Sequence, residues 1–481
     1  MKKLLGNPAF VQVKKFYIGK KSNVEAAVIY LHNVANRQVI DEIILYPLML
    51  YAEENLGKVK NKAVYLSEVY LPSSGTSIEH DLQTAAAAVK DGNTVLFLED
   101  EDDFLVIQTQ GGNFRQISDP PNEAAMRGAR DGFIESLDIN VNLIKRIIKD
   151  NNLSIEKFMV GRRSQTRLVI LFIDDLVDQD IVEELRRRIR AIDVDFVTAT
   201  GMIEQYIEEH PYSVFPQAFN SEKPDRIVAN IMEGKIAILL DGTPTVLTVP
   251  AELPNFFSAV EDYYTRTIPA GFFRLLRYFA VFVVLFFPSI YLVLIKFNSE
   301  LIPVQFIVPI VQSRSGISLT PFMEIVILEL CVELLREGGL RLPTKIAQTL
   351  SIVGGIIIGD AAVKSNMVSP TTLLVVGITV VASFLIPNYD MSLSIRLLRF
   401  FILIIANVAG MLGISVGFIF LITHLSSLEN FGVPYMTFYH SDMKDIFTRS
   451  PLWKMNQRPA SSTGKNKTRQ TDFRDPPEYT E

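Results

Sequence analysis

The sequence predicts a soluble α/β N-terminal half, made of two tandem related α/β subdomains, followed by an all-α polytopic membrane domain. Apolar residues are distributed unevenly along the 481 residues. Residues 1–265 mix charged and apolar positions as globular chains do, whereas almost every long apolar run lies between Tyr278 and Thr423. A strand and helix pattern also recurs at a constant offset in the first part, and apolar runs long enough to span a membrane occur in the second.

Composition excludes several classes of function. Cys331 is the single cysteine, which rules out a disulfide framework and a cysteine-based metal site, and the five histidines lack ligand spacing. The formal charge of −6 supplies no basic field for nucleic acid. The soluble half has no phosphate-binding glycine loop, Walker motif or nucleophile elbow. We therefore expect no enzyme, no cofactor and no bound metal.

The soluble half contains an internal repeat with an offset of 142 residues. Residues 28–31 align with 170–173, and residues 95–99 align with 237–241. Chance similarity is the alternative, because apolar strands followed by amphipathic helices are common. Each copy is expected to contain a strand, a helix, an irregular stretch, a second helix and a hairpin, as at Asp241-Gly242. The predicted boundaries are an N-terminal segment 1–19, subdomain 20–115, connector 116–159 and subdomain 160–265.

The membrane domain is expected over residues 266–430. A membrane helix needs about 20 mostly apolar residues, and the predicted spans lie near 278–295, 319–335, 346–366, 368–387 and 400–423. Arg274 and Arg277 precede the first span, and Arg396 and Arg399 precede the last, so both ends are expected to face the cytoplasm. The N-terminal half is expected on the same side, because its first residues lack the apolar run of a signal peptide.

Two stretches leave the topology open. Residues 301–311 are apolar but short and contain Pro303 and Pro309, which suits a re-entrant or interfacial segment better than a full crossing. Residues 431–481 are polar and mixed in charge, and we expect them to form a disordered tail. These patterns determine neither the number of crossings nor the side of the tail.

Three acids lie within the predicted span 319–335. Glu324, Glu329 and Glu333 stand among apolar residues, where burying each one costs about 2.5–3.5 kcal/mol. At 100° per residue, Glu329, Glu333 and Arg336 share one stripe, which should face protein or water. Two interpretations stay open. The acids either form an ion path through the membrane, or Glu333 makes a structural ion pair with Arg336 or Arg341.

The predicted helix 346–366 carries a stripe of small and polar residues at spacings of three and four. The stripe consists of Gln348, Ser351, Gly355, Gly359, Ala362 and Asn366. Gly355 and Gly359 form a GxxxG pair, which lets helices approach closely, so the stripe packs inside a bundle or lines a narrow pore in a ring. Asp360 lies just beside the stripe and is a further candidate acid, which either belongs to the ion path or pairs with Lys364.

These residues, together with landmarks in the soluble half, resemble a known family. The membrane residues are 333–337, 339–343, 348–349, 353–355, 358–359 and 361–363, and the soluble ones are 127–128, 132–133, 135, 142–144, 215–217, 224–225, 233–234, 241–242, 244 and 262–264. Over residues 20–430 the chain resembles the A subunit of GerA-type spore germinant receptors. It departs from the family pattern at Ala129, Gly338 and Asp360, where proline, alanine and glutamine are usual.

The resemblance implies a polytopic protein of the inner spore membrane, with its N-terminal domain on the core side. It implies a transporter-like B subunit that binds the nutrient, a lipoprotein C subunit, and a ring of A subunits, expected to be a pentamer, that opens as a cation channel. Ser351, Gly355, Gly359, Ala362 and the neighbouring Val363 would line its pore. The alternatives are a non-conducting scaffold or signalling subunit, and a secondary transporter, which would be expected to show two membrane repeats.

Overall fold

The computed structural model describes residues 11–19, 24–31, 35–54, 56, 59–90, 92–99, 101–109, 119–120, 123, 127–343, 346, 354–355, 359–436, 443–458, 464 and 466–471. The chain divides into two compact units, residues 1–115 and 116–481.

The first unit is built on a five-stranded sheet. Its strands are β1 (Val11–Tyr17), β2 (Glu25–Leu31), β3 (Thr76–Glu79), β4 (Thr94–Leu98) and β5 (Phe104–Ile107), in the order β1-β2-β4-β5-β3. Its helices are α1 (Arg37–Val39), which continues as the π-helical turns Ile40–Leu45 and Pro47–Tyr51, α2 (Lys62–Val69) and α3 (Leu82–Lys90). Buried apolar side chains such as Val28, Ile44 and Leu96 form one core between sheet and helices.

The second unit opens with a sheet of the same order. Its strands are β6 (Leu153–Val160), β7 (Thr166–Ile173), β8 (Phe219–Ser221), β9 (Ile236–Leu240) and β10 (Val246–Val249), in the order β6-β7-β9-β10-β8. Its helices are α4 (Leu137–Ile147), α5 (Gln179–Ala191), α6 (Thr200–Ile207) and α7 (Pro224–Met232). The registered pairs in both sheets are antiparallel.

The structural repeat has the offset expected from the sequence. Strands β4 and β5 and helix α3 coincide with β9, β10 and α7 when their residue numbers are shifted by 142. Both copies begin earlier than predicted, with β1 at Val11 and β6 at Leu153 instead of near 20 and 160. These first strands are half-exposed and interrupted by charges, so a search for apolar runs passes over them.

Local sequence explains the elements that frame the second sheet. Helix α5 begins after Asp178, whose carboxylate accepts the backbone N–H of Asp180, and it buries Ile181, Leu185 and Ile189 along one face. The hairpin between β9 and β10 turns at Gly242, whose φ of 87° is a backbone conformation that favours glycine. The expected Asp241-Gly242 turn is therefore present.

The C-terminal part of the second unit is helical. After the 3₁₀ turn Leu253–Phe256 and α8 (Glu261–Tyr264) come α9 (Thr267–Lys296), the 3₁₀ turn Ser299–Leu301, α10 (Val304–Arg314), α11 (Pro321–Leu340), α12 (Pro370–Ser383) and α13 (Tyr389–Ser427). Strands β11 (Glu429–Asn430) and β12 (Val433–Pro434), α14 (Met443–Ile446) and the 3₁₀ turn Leu452–Lys454 follow. Within the described residues, α9 and α13 are long and apolar enough to cross a membrane by length and composition.

Helix α13 is folded back on itself at Gly410. This residue has φ 61° and ψ −138°, which is non-helical. A Cβ added at Gly413 would lie 2.5 Å from the carbonyl oxygen of Ile405, and one at Gly417 would lie 3.6 Å from the Ile402 side chain. In a continuous helix, residues eight positions apart are about 12 Å apart along the axis. Residues 389–409 and 411–427 therefore form two antiparallel legs of a hairpin.

Both ends of this hairpin meet the same loop of the second α/β subdomain. Ser394 on the first leg donates its hydroxyl to the carbonyl of Val214, and His424 Nε2 on the second leg lies 3.1 Å from the hydroxyl of Ser213. At the opposite end, Lys296 donates to the carbonyl oxygen of Asn407 at 2.8 Å. Helix α9 therefore runs from the subdomain to the hairpin tip, and the chain after α13 returns to the subdomain.

The helix bounds differ from the predicted spans. Helix α11 ends at Leu340, five residues beyond the predicted span 319–335, because glycines such as Gly338 are tolerated inside a helix when nothing else interrupts it. Helix α12 is shorter than 368–387, and 301–311 forms most of α10 with Pro309 inside the helix. Arg396 and Arg399 lie within α13 and are buried, instead of preceding a span.

Parts of the tail, which was expected to be disordered, are folded against the second subdomain. Tyr435 is fully buried and donates to the carbonyl of Pro216 at 2.9 Å. Arg449 is buried and donates to the carbonyl of Thr265 at 2.8 Å. Disorder was predicted because residues 431–481 are mostly polar and charged. Polar side chains can nevertheless be buried when they hydrogen-bond to groups in remote segments, as these do.

A buried charge cluster and a small-residue helix

The centre of the candidate site is an ion pair between α11 and the first leg of α13. Arg399 Nε lies 2.7 Å from Glu329 Oε2, and the two side chains are 1% and 0% exposed. Arg399 stands about halfway along residues 389–409. Isolated charges are costly to bury, so each of these side chains depends on the other for its charge.

Glu333 extends this pair into a cluster. Its carboxylate lies 2.7 Å from Arg396, 3.4 Å from Arg399 and 3.7 Å from Arg336. Arg336 also donates to the hydroxyl of Ser383 at 2.6 Å, which ties α11 to α12. The acids on α11 are one helical turn apart and the arginines on α13 are three residues apart, so each set occupies one face of its helix.

The cluster is tightly packed but incompletely hydrogen-bonded. Both carboxylate oxygens of Glu329, and the Nε atoms of Arg336, Arg396 and Arg399, have no well-directed hydrogen-bond partner among the described residues. Three arginines face two acids, so the cluster carries one positive charge in excess. A half-satisfied polar network of this kind stabilises less than its short distances suggest.

Glu324 belongs to a separate ion pair near the hairpin tip. Its carboxylate is fully buried, lies 2.7 Å from Arg314 of α10, and accepts the backbone N–H of Ser369 at 2.9 Å. This contact links the start of α11 to α10 and to the start of α12. Arg314 was not predicted as a partner from the sequence, because it lies outside the segment that carries the acids.

The remaining predicted charges pair locally. Asp360 lies 2.7 Å from Lys364, and both side chains are mostly exposed. Arg341 lies 2.6 Å from Glu337, so it pairs with that acid and not with Glu333 as one interpretation proposed. Exposed pairs of this type contribute little to stability.

The small-residue stripe is described only in part, since Gln348 and Ser351 lie outside the described residues. A Cβ added at Gly355 would meet no atom of the described residues within 4 Å, whereas one at Gly359 would lie 3.7 Å from Leu373 of α12. Ala362 packs against the bundle core, and Val363 is half-buried. Asn366 is exposed at the turn that follows, with φ 53°. Within one chain, the stripe is partly packed and partly open.

Arg396 and Arg399, the basic residues that α13 contributes to the cluster, could have been predicted as partners of the acids from the sequence. Arg396 and Arg399 were interpreted as markers of orientation, because basic residues often flank membrane spans. The arginines are three residues apart and the acids Glu329 and Glu333 are four apart, and either spacing places both side chains on one face of a helix. Two charged helix faces of opposite sign could therefore have been predicted to pack together. The pairing itself depends on how α11 and α13 approach each other.

A second charge network lies where the α/β subdomain joins α9. Asp262 contacts Arg277 at 2.6 Å and Arg274 at 3.2 Å. Burial alone would raise the pKa of Asp262, but hydrogen bonds from Arg277 and the charges of both arginines hold that pKa below its usual value. Elsewhere in the subdomain, burial and the nearby charge of Asp390 raise the pKa of Glu204 to about 7.

The described residues contain no group of three or more His, Cys, Asp or Glu side chains that could hold a metal ion.

A profile of the family described as "Bacillus/Clostridium GerA spore germination protein" matches residues 1–461. The chain belongs to the GerA family. This GerA-family chain is 36% identical to "Spore germination protein KA" of Bacillus subtilis (strain 168) over 98% of its length and 86% of that protein. It is 31% identical to "Spore germination protein B1" of the same organism, over 98% and 97%. The resemblance found in the sequence is thus confirmed.

Two further similarities concern the membrane and the N-terminal half. The GerA-family chain is 35% identical, over 93% of its length and 88% of the relative, to "Uncharacterized membrane protein YfkQ" of Bacillus subtilis (strain 168). The chain is also similar to a solved protein, the N-terminal domain of the A subunit of the Bacillus megaterium spore germinant receptor GerK3. The two sequences are 26% identical, and the match covers 52% of this chain and 91% of the GerK3 domain. Its TM-score is 0.23, which supports no structural argument.

Proposed function

We propose that this protein is the A subunit of a nutrient-responsive spore germinant receptor in the inner spore membrane, and that copies of it form a ring that acts as a nutrient-gated cation channel. A transporter-like B subunit would bind the nutrient, and a lipoprotein C subunit would complete the receptor. Membership in a family of spore germination proteins supports the receptor assignment, and the long apolar helix α9 together with the apolar hairpin α13 supports a membrane location.

The proposal that copies of the protein form a ring rests on the environment of Gly355. No described residue lies within 4 Å of a Cβ added at this glycine, whereas an added Cβ at Gly354 would lie 2.9 Å from Leu335 and one at Gly359 would contact Leu373. The helix segment is therefore anchored on its own bundle at two positions and leaves a small residue uncovered between them. Symmetry-related copies can approach each other, or a water-filled axis, at such a surface.

In the proposed mechanism, the nutrient shifts a two-state equilibrium. Binding to the B subunit favours the state in which segments 346–366 of neighbouring A subunits separate, and it does so only by having a higher affinity for that state. Monovalent cations then leave the spore core. Val363 would form part of the constriction of the closed state. Cation preference would come from carbonyl oxygens along the glycine segment and from acids near it.

A direct test measures potassium flux in liposomes that contain the purified A, B and C subunits. Nutrient-dependent flux is the expected result, and its absence in a complex that still binds nutrient would refute the channel. Val363→Ala should raise the flux measured without nutrient, because it widens the constriction. Val381→Ala is the matched control, since Val381 is 66% exposed and lies on α12, outside the segment.

The second candidate is a non-conducting scaffold or signalling subunit. It is favoured by the finding that Glu324, Glu329, Glu333 and Asp360 each lie within 2.7 Å of a basic side chain of the same chain. The three glutamates held this way fasten helices together, Asp360 pairs within its own segment, and none of the four offers a free carboxylate to an ion. The two candidates are separated by cysteine accessibility at positions 348, 351, 355, 359, 362 and 366 in a Cys331→Ser background. One reactive stripe indicates water, and no reactivity indicates a dry packed interface.

A further inference from the structure

An apolar cavity of about 210 Å³ lies where the second α/β subdomain meets the helices. Its walls come from segments far apart in sequence. The subdomain contributes Phe215, the linker before α9 contributes Phe257, and α9 contributes Leu285. The hairpin contributes Met391 from its first leg and Leu425 from its second.

The chemistry of the walls restricts what the cavity can hold. Apart from Tyr278, the lining side chains are phenylalanine, leucine, isoleucine, valine, methionine and proline. The hydroxyl of Tyr278 donates to the carbonyl of Ile446 at 3.2 Å, so it is already engaged. A charged or strongly polar guest would lose its hydration without gaining partners. The walls therefore favour an apolar guest over amino acids and sugars.

The size of the cavity suits one small apolar molecule. An apolar cavity of about 150 Å³ in another protein stays dry and binds benzene or xenon, and the present cavity is somewhat larger. Two of its wall residues, Met391 and Met436, have flexible side chains that adjust to the shape of a guest.

We propose that this cavity is a binding site for an uncharged apolar molecule about the size of one aromatic ring. The inference does not depend on ion conduction. A guest adds contacts only while the subdomain, α9, both hairpin legs and the tail are assembled around it. It therefore favours that docked arrangement over any in which the subdomain separates from the helices.

The test uses the full-length chain in lipid nanodiscs, with benzene as the probe and the thermal unfolding midpoint as the readout. A ligand at ten times its dissociation constant should raise the midpoint by about 1–2 °C, and the increase should saturate. Leu421→Phe fills the cavity and should abolish the increase. Leu412→Phe is the matched control, because Leu412 is on the same leg but 75% exposed, and it should retain the full increase.

A second filling variant, Ile395→Phe, keeps the test valid if Leu421→Phe fails to fold. Repeating the titration on lipid-depleted protein identifies the natural source of the guest. An increase seen only after lipid removal indicates that an acyl chain occupies the cavity in the membrane, and an increase in both preparations indicates a free small molecule. The proposal is overturned if wild-type protein shows no saturable increase in either preparation, or if folded filling variants respond as wild type does.

Discussion

Arg274 of α9 and Asp445 of the C-terminal tail are joined at 2.7 Å, although 171 residues separate them. The Asp445 carboxylate also accepts the hydroxyl of Tyr263 at 2.6 Å, and Arg274 contacts Asp262. The segment that links the α/β subdomain to α9 is therefore held by the tail. A movement of the subdomain relative to the helices has to carry the tail with it or break this contact.

Asp445→Ala should release the tail. The substitution leaves Arg274, which is 1% exposed, without its closest acid, and breaking a buried pair in this way costs about 3 kcal/mol. Faster proteolysis near Lys454 in the folded protein is the expected result. Asp360→Ala is the control, because it breaks an exposed pair with Lys364 and should not change the cleavage rate. Equal cleavage rates for wild type and Asp445→Ala would show that the contact between Arg274 and Asp445 does not hold the tail.

Glu329→Met should destabilise the helices, whereas the double substitution Glu329→Met with Arg399→Met should recover most of the loss. The single change leaves Arg399 buried with only the more distant Glu333, at a cost of about 3–5 kcal/mol. The double change removes both desolvation penalties. Thermal unfolding of all three variants in one detergent measures this coupling. Additive losses in the double variant would show that the pair does not hold α11 to α13.

Gly413→Ala should disrupt the α13 hairpin. Its added Cβ would lie 2.5 Å from the Ile405 carbonyl oxygen, so the legs have to separate. Gly410→Ala should act in the same direction, since its backbone conformation costs other residues about 1–3 kcal/mol. Gly377→Ala is the control, because an added Cβ there meets nothing within 4 Å. Folded yield and unfolding midpoint are the measurements, and similar values for all three variants would argue against the hairpin.

Glu204 should make stability depend on pH. Burial raises its pKa in the folded protein to about 7, above an unfolded value near 4.5. A carboxyl group whose pKa is higher in the folded protein stabilises it fully at pH values below the pKa of the unfolded chain. This stabilisation is lost as the pH rises towards and through the pKa of the folded state. Between pH 4.5 and 7 this loss is about 3 kcal/mol. Glu204→Gln should flatten the decline in unfolding midpoint over that range.

The control for Glu204 is Glu183→Gln, since the Glu183 side chain is 69% exposed. It should leave the pH dependence of the unfolding midpoint unchanged. An equal slope for wild type and Glu204→Gln would show that Glu204 titrates in the folded protein as it does in the unfolded chain.

Local periodicity was sufficient to predict the duplicated sheets. The apolar strand of residues 95–99 and its partner at 237–241 are short contiguous patterns, so β4 and β9 and the turn at Gly242 could be identified from the chain alone. The edge strands β1 and β6 could not, because their exposure and charges weaken the apolar pattern. The family assignment likewise rests on residues that are read directly from the sequence.

Tertiary structure alone decided how the helices are arranged. Hydropathy predicts a single span at 400–423, and only the backbone at Gly410 and the contact of Gly413 with Ile405 show that residues 389–427 form two antiparallel legs. The sequence placed charges at Glu329 and Arg399 but not their contact, because a pairing between helices depends on their packing and not on the spacing within either one. The sequence therefore determined the type and order of most elements, while the packing of the tail against the second subdomain and the partners of the buried charges followed from contacts between remote segments.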